Sequence, residues 1–346
     1  FLSTQMSTLI VDCGSGLTRA AVFWRDAGNR VHACEASAST GQAEPFALPR
    51  IVDVLTEGGS ALRRWVASIQ ELVVATGCTS TVIGATGGLR QAEAAGRVTP
   101  RMLASLGELL RELVPAAEFR SLSGEDEARA ELGAVQHVAD LTLPPSVPRP
   151  IGMLSGGGMT SQVGWHDPPG AAASFLSVTH GLIDAAASLC ERADGAADED
   201  ARSCAIEAFG ARLAAEVSAS GRRGQLRGTL VAIEMVGACG SADEYGGRFT
   251  WLARQVGQRV VGKAALVAAL REHLQQWARG GAVASRHEAY AGLLPAELLG
   301  LAGLADEGAS FYLCRSFEVA PGVTLKPSWS LGVYLSRSAA PPPPRG

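Results

Sequence analysis

Five short stretches, in order along the 346 residues, combine small residues, hydroxyls and acids in spacings suited to holding phosphate. They are Asp12-Cys13-Gly14-Ser15-Gly16-Leu17-Thr18, Gly84-Ala85-Thr86-Gly87-Gly88-Leu89-Arg90, Ser123-Gly124-Glu125-Asp126-Glu127, Ser155-Gly156-Gly157-Gly158 and Ser328-Trp329-Ser330-Leu331-Gly332. A glycine turn between two strands presents consecutive backbone N–H groups to anionic oxygens. The third stretch is a carboxylate cluster lying between two such loops. Phosphoryl transfer to water asks for charge neutralisation, in-line positioning and one group that orients the water. A carboxylate at the mouth of a helix suits that last task, with Glu127 the first candidate and Asp126 the fallback. Taken alone, Glu127 also reads as an acid favoured by the helix dipole. Its place after Ser123-Gly124 and between two glycine loops turns the reading toward chemistry. Ser15 and Thr18, taken alone, read as turn residues bonding their own backbone. Asp12 directly before the turn, and a second hairpin of the same design, argue for a ligand. Arg90 reads as a strand–helix cap or as the wall of a site, and Cys13 as a small apolar filler.

The elements that must position these residues follow from pattern. Residues 8–13 and 19–24 read as strands joined by Gly14-Ser15-Gly16, followed by a polar loop. Helical spacing covers 51–66, 69–77 and 101–113; 81–84 and 118–122 read as strands, and a helix starts at Glu125. The proline-rich stretch 142–150 marks a domain boundary. The second half opens with a strand over 150–154, a glycine turn and a strand over 161–165, repeating the N-terminal design. Helices are expected over 182–219 and 262–279, and a strand over 229–237 running into Gly237–Ser241. The expected organisation is mixed α/β: one domain over 1–145, a second over 146–335, and a disordered proline-rich tail over 337–346.

Composition excludes several classes. Apolar residues make up 47 %, and no run approaches the about twenty apolar residues that span a bilayer. The formal charge of −4 argues against nucleic acid or an anionic membrane as partner. Seven scattered cysteines without CxxC spacing argue against a disulfide framework or a zinc site and for a reducing compartment. The chain opens on Phe1, so a fragment or a lost leader is expected. Gly257–Ala264 approximates a phosphate-loop motif but ends in alanine where a magnesium-binding hydroxyl belongs, so it reads as a helix entry. Arg19 stands where a dinucleotide-binding fingerprint needs its third glycine, and a strand follows it.

The five stretches resemble the actin, sugar-kinase and heat-shock chaperone superfamily. Within it they are most similar to two phosphohydrolase families, the nucleoside triphosphate diphosphohydrolases (apyrases) and the exopolyphosphatase and guanosine pentaphosphate phosphohydrolases. D-C-G-S-G-L-T is similar to the apyrase D-x-G-S-x-x-T, and G-A-T-G-G-L-R to G-A-T-A-G-M-R. S-G-E-D-E-A-R lies between the exopolyphosphatase S-G-x-E-E-A-R and the apyrase G-x-D-E-G. S-W-S-L-G is similar to S-W-x-L-G, and the order and spacing hold over residues 8–335. The resemblance implies two actin-like, ribonuclease H-like domains with a phosphate-binding cleft between them, and a last helix, about 328–336, packing back on the N-terminal lobe. It implies that Gly14, Ser15 and Thr18 hold phosphate from one side and Gly157, Gly158, Thr160 and Ser161 from the other, with Thr86 and Arg90 lining the wall. It further implies that Glu127 orients the attacking water and that Asp12 and Gln162 place water or a divalent cation, Mg²⁺ or Ca²⁺.

The fourth motif departs from both families, with Ser155 at the position of their aspartate. The resemblance therefore implies three readings. The first is hydrolysis of nucleoside di- and triphosphates, with polyphosphate or guanosine pentaphosphate as the rival substrate. The second is a catalytically impaired relative that binds nucleotide or serves as a subunit of a larger assembly. The third, a kinase-like ATP user, finds no recognisable base for a sugar hydroxyl. The apyrase disulfide pattern and membrane anchors have no counterpart, so a soluble intracellular location, cytoplasmic or organellar, is expected rather than the cell surface.

Overall fold

The computed structural model describes residues 7–36, 47–143, 150, 152–166, 172–179, 181, 199–221, 229–233, 260–279, 306–313, 317–321 and 323–338. Residues 144–149 of the expected linker, the expected turn 237–241, the first part of the expected 182–219 helix and the tail from 339 on lie outside them. The chain divides into two compact units, one of Phe1–Glu127, Glu318–Leu325 and Ser330–Gly346, the other of Ala128–Phe317 and Lys326–Trp329.

In the first unit β1 (Thr8–Cys13) and β2 (Thr18–Arg25) form an antiparallel hairpin, continued by β3 (Val31–Glu35). A short β4 (Ala47–Leu48) pairs with the start of β2. On its other side β1 runs parallel to β5 (Ser80–Ala85), which runs parallel to β6 (Ala117–Ser121). The order is β3-β2-β1-β5-β6. β1 and β5 are buried along nearly their whole length, which is why they read as continuous apolar runs rather than alternating ones. Leu9, Val11 and Ile83 meet the apolar stripes of α1 (Ile51–Glu57), α2 (Gly59–Thr76) and α4 (Pro100–Leu113) in one core with Trp65, Ile69, Leu72 and Leu106. Between β5 and α4 the chain forms α3 (Gly87–Ala94). Two expectations are corrected here. The loop expected after residue 24 contains β3 and β4. The helix expected over 51–66 breaks at Gly58 and Gly59, whose φ of 67° and 49° are left-handed; the apolar spacing runs through the break because both helices face one core.

The second unit repeats this plan. α5 (Gly124–Thr142) leads into β7 (Gly152–Gly156), β8 (Ser161–His166) and β9 (Ala173–Val178), an antiparallel meander. β7 also runs parallel to β10 (Thr229–Ile233), and β10 parallel to β12 (Ser310–Leu313). The order β9-β8-β7-β10-β12 thus matches β3-β2-β1-β5-β6 strand for strand and direction for direction, with β11 (Val260–Gly262) added at the edge. Among the helices, α6 (Glu199–Ala219) buries Phe209, Leu213 and Val217, and α7 (Lys263–Ala278) buries Leu266, Leu270 and Leu274; each set recurs every four residues, one helical face. α7 starts at Lys263, so the rejected phosphate-loop motif ends in a helix entry. A separate hairpin, β13 (Phe317–Ala320) with β14 (Val323–Leu325), places β14 beside β3. In the last helix, α8 (Trp329–Ser338), Tyr334 stacks on Phe23 with centroids 5.5 Å apart, and Arg337 pairs with Glu118.

Candidate functional site

In the first unit the candidate residues gather at the β1–β2 turn. The register Cys13↔Thr18 leaves Gly14–Leu17 as the loop, with Ser15, Gly16 and Leu17 open to solvent to different degrees. α3 starts beside it: a Cβ on Gly88 would stand 3.1 Å from the Ser15 Cα, so only glycine lets the helix N-terminus come this close to the turn. Thr86, the residue before α3, makes no side-chain cap bond. An uncapped helix N-terminus and a glycine turn therefore adjoin, and both favour an anion through backbone N–H groups and the helix dipole. Less than one turn further along α3, Arg90 donates from Nη1 to the Leu122 carbonyl, and from Nη1 and Nη2 to Glu127 Oε2 at 3.3 Å. Glu127 is 7 % exposed. The acid, the arginine and the glycine turn are thus strung along the first turns of one short helix.

The β7–β8 turn of the second unit, Gly157–Thr160, is closed in the same way. A Cβ on Gly14 would lie 3.2 Å from the Leu17 carbonyl oxygen, and one on Gly157 would lie 3.2 Å from that of Thr160. Gly157 N–H closes the second turn by donating to Thr160 O at 2.9 Å. Gly157 and Gly158 are partly open, whereas Thr160, Ser161 and Gln162 are buried. Gln162 Nε2 donates to Thr160 Oγ1 at 2.7 Å, which ties the strand to its turn.

The sequence-predicted residues therefore separate by what their side chains do. Thr18 is fully buried, and its hydroxyl donates to the Pro49 carbonyl at 3.1 Å, an oxygen that also accepts from Trp65 Nε1 at 3.2 Å. Its proton fastens the hairpin to the core. Asp126 is exposed and partners the cap of α5: Ser123 Oγ accepts from the Asp126 N–H at 3.0 Å and donates to its carboxylate at 2.7 Å. Asp12 is half-buried, with its Oδ1 over Gly14. Its charge adds to burial in pushing the Cys13 thiol far above its ordinary range, in keeping with an inert filler. Glu131 escaped the sequence reading. It lies one helical turn beyond Glu127 on α5, is 3 % exposed, and accepts from Ser155 Oγ at 3.1 Å. The i, i+4 spacing from Glu127 was its only signal in the sequence.

Among the described residues no three His, Cys, Asp or Glu side chains cluster as a cage for a metal ion. Mg²⁺ needs no such cage, being held by about one or two carboxylates together with waters and substrate phosphate oxygens. The candidate groups Asp12, Gln162, Ser155 and Glu131 all offer hard oxygen atoms, which suits Mg²⁺ or Ca²⁺ and not a soft ion. No helix among the described residues is long and apolar enough to cross a membrane.

By sequence, no protein-family model and no curated protein matches the chain. By structure, it superposes on the Ppx/GppA family member of Aquifex aeolicus with a TM-score of 0.60 at 14 % identity, covering 96 % of this chain and 97 % of that one. An exopolyphosphatase from Cytophaga hutchinsonii gives a TM-score of 0.54 at 12 % identity, covering 96 % and 97 %. Nucleoside triphosphate hydrolases from Neospora caninum give 0.57 at 11 %, covering 96 % and 92 %. Two units with one repeated strand order, matched over nearly the whole chain by these structures, give this protein the two-domain actin-like ATPase fold.

Proposed function

We propose that the protein is a metal-dependent phosphohydrolase that cleaves the terminal phosphate of nucleoside di- and triphosphates by attack of water. The observation that carries the reading is α3, which joins the Gly88–Ser15 approach at the first glycine turn to the Arg90–Glu127 pair within less than one helical turn. Backbone N–H groups of the Gly14–Leu17 turn and of the α3 N-terminus hold the terminal phosphate on this reading, and the Gly157–Thr160 turn offers a second set of N–H groups to phosphate oxygens. The Glu127 carboxylate accepts a hydrogen bond from the attacking water and takes its proton as the new oxygen–phosphorus bond forms, while the bond from that phosphorus to the bridging oxygen breaks and the shortened nucleoside phosphate leaves with those electrons. Arg90 holds that carboxylate in place through the bonds from Nη1 and Nη2. Asp12 in the first unit and Gln162 in the second are each candidate ligands for Mg²⁺ or Ca²⁺, which would supply charge neutralisation on the phosphate oxygens when bound.

One observation favours a second reading. Ser155 removes a charge from the fourth motif, as expected of an impaired relative that binds nucleotide without turnover or acts as a subunit of a larger assembly. Polyphosphate and guanosine pentaphosphate are the rival substrates, since the glycine turns contact phosphate and not base. The deciding experiment measures phosphate release from ATP, ADP, polyphosphate and guanosine pentaphosphate, with MgCl₂ or CaCl₂ and with EDTA, alongside calorimetric binding of the same ligands. Metal-dependent release supports the hydrolase; binding without release supports the impaired relative; neither binding nor release removes both.

A further inference from the structure

We propose that Glu131 and Ser155 together form one acidic group at the root of the second glycine turn, Glu131 holding the charge and Ser155 presenting it. The pairing is geometric; its purpose, to balance a cation that accompanies phosphate, rests on the function proposed above.

The repeat within the fold defines the position. In the first hairpin Cys13 pairs with Thr18 and Asp12 with Arg19; in the second, Gly156 pairs with Ser161 and Ser155 with Gln162. Ser155 therefore occupies, relative to its turn, the place that Asp12 occupies relative to the other. A serine there has no charge, but the charge has not left the neighbourhood. α5 seats on β8 where the Ala128 carbonyl oxygen comes within 3.5 Å of a Cβ built on Gly164. That seating brings Glu131, nearly one turn further along, to Ser155 Oγ at 3.1 Å with both residues at least 97 % buried. A buried carboxylate costs several kcal/mol unless hydrogen bonds or opposite charge compensate it, so its placement at this one spot reflects the surroundings. A serine hydroxyl has one proton and two lone pairs. With the proton given to Glu131, the oxygen at position 155 offers only lone pairs, as an aspartate oxygen would. Across the ladder, Gln162 binds the last residue of the turn, so the pair is connected to the phosphate-facing backbone through one rung.

A charge that can sit on either residue, but not on both, is tested by exchange. Wild type, Ser155→Asp, Glu131→Gln and the double variant are compared by urea unfolding in EDTA. Ser155→Asp alone sets two carboxylates side by side in a buried place, and the expected non-additivity between the two substitutions is about tenfold in the unfolding equilibrium constant. In the Glu131→Gln background the new aspartate is expected to be tolerated. Equal destabilisation by Ser155→Asp in both backgrounds, including failure to fold in both, overturns the proposal. A second readout titrates MgCl₂ in the presence of ADP by calorimetry: Glu131→Gln weakens the cation and the double variant restores it, which loss of a merely structural hydrogen bond does not produce. If wild type binds no Mg²⁺ under these conditions, the hydrolase reading fails, and the exchange in EDTA still decides whether the two residues share one charge.

Discussion

Replacing Glu127 with glutamine keeps the size of the side chain and removes its charge, which separates chemistry from packing. In the structure Glu127 Oε2 lies 3.3 Å from both terminal nitrogens of Arg90. At an effective dielectric of about 20 such a pair attracts by about 5 kcal/mol before costs. Desolvation of the two ions offsets much of that. The Arg90 side chain keeps 24 % exposure and its bond to the Leu122 carbonyl, so the cation is not stranded. Glutamine can turn its carbonyl toward Arg90, and the net loss of stability comes to about 1–2 kcal/mol. The catalytic loss is larger. A positioned general base contributes about 10²–10⁴-fold, equivalent to about 3–5 kcal/mol of barrier. A protein of ordinary stability, about 5–15 kcal/mol, stays folded after the smaller loss. At 25 °C, phosphate release from ATP should therefore collapse in Glu127→Gln while urea unfolding moves modestly and nucleotide still binds. Release within about threefold of wild type would refute the base assignment, since even the low end of the expected contribution is far larger.

Three further outcomes are expected. Gly88→Ala drives a methyl group to 3.1 Å from the Ser15 Cα; the turn must move, costing about 1–3 kcal/mol by urea unfolding and weakening nucleotide binding in calorimetry. Asp126→Ala removes a cap partner on an exposed turn, costing about 0.5–1 kcal/mol and leaving phosphate release within roughly twofold of wild type; a collapse in activity would instead make Asp126 the base. Because burial and the Asp12 charge push the Cys13 thiol up, it stays protonated through neutral and mildly alkaline pH. A thiol titration of the native protein at pH 8 should leave Cys13 unmodified and reach it only after unfolding.

The two-domain fold was legible because its chemistry repeats. Each hairpin announces itself by an apolar run, a glycine turn and a second run with β-branched or aromatic residues, and the same order of motifs recurs along the chain. β3 was lost to the sequence reading because Val31–Glu35 carries His32 and Glu35 in a strand only partly buried, so no apolar run marks it. The 51–66 helix was overrun because one core draws apolar residues from both sides of Gly58. No local pattern could show that a carbonyl 31 residues away takes the Thr18 hydroxyl proton.

The sequence by itself determined where glycine turns, hydroxyls and the acidic cluster fall, because turn formation and strand pairing across a short loop depend on neighbouring residues. Which acid is buried and which stays at the surface beside the Ser123 cap was decided by tertiary structure. Asp126 and Glu127 are adjacent in the chain, yet one faces solvent and the other meets Arg90. Glu131 and Ser155 become partners only because α5 seats on the second sheet and brings together residues 24 apart. Burial and long-range hydrogen bonding are properties of packed surfaces, and those exist only once the elements have met.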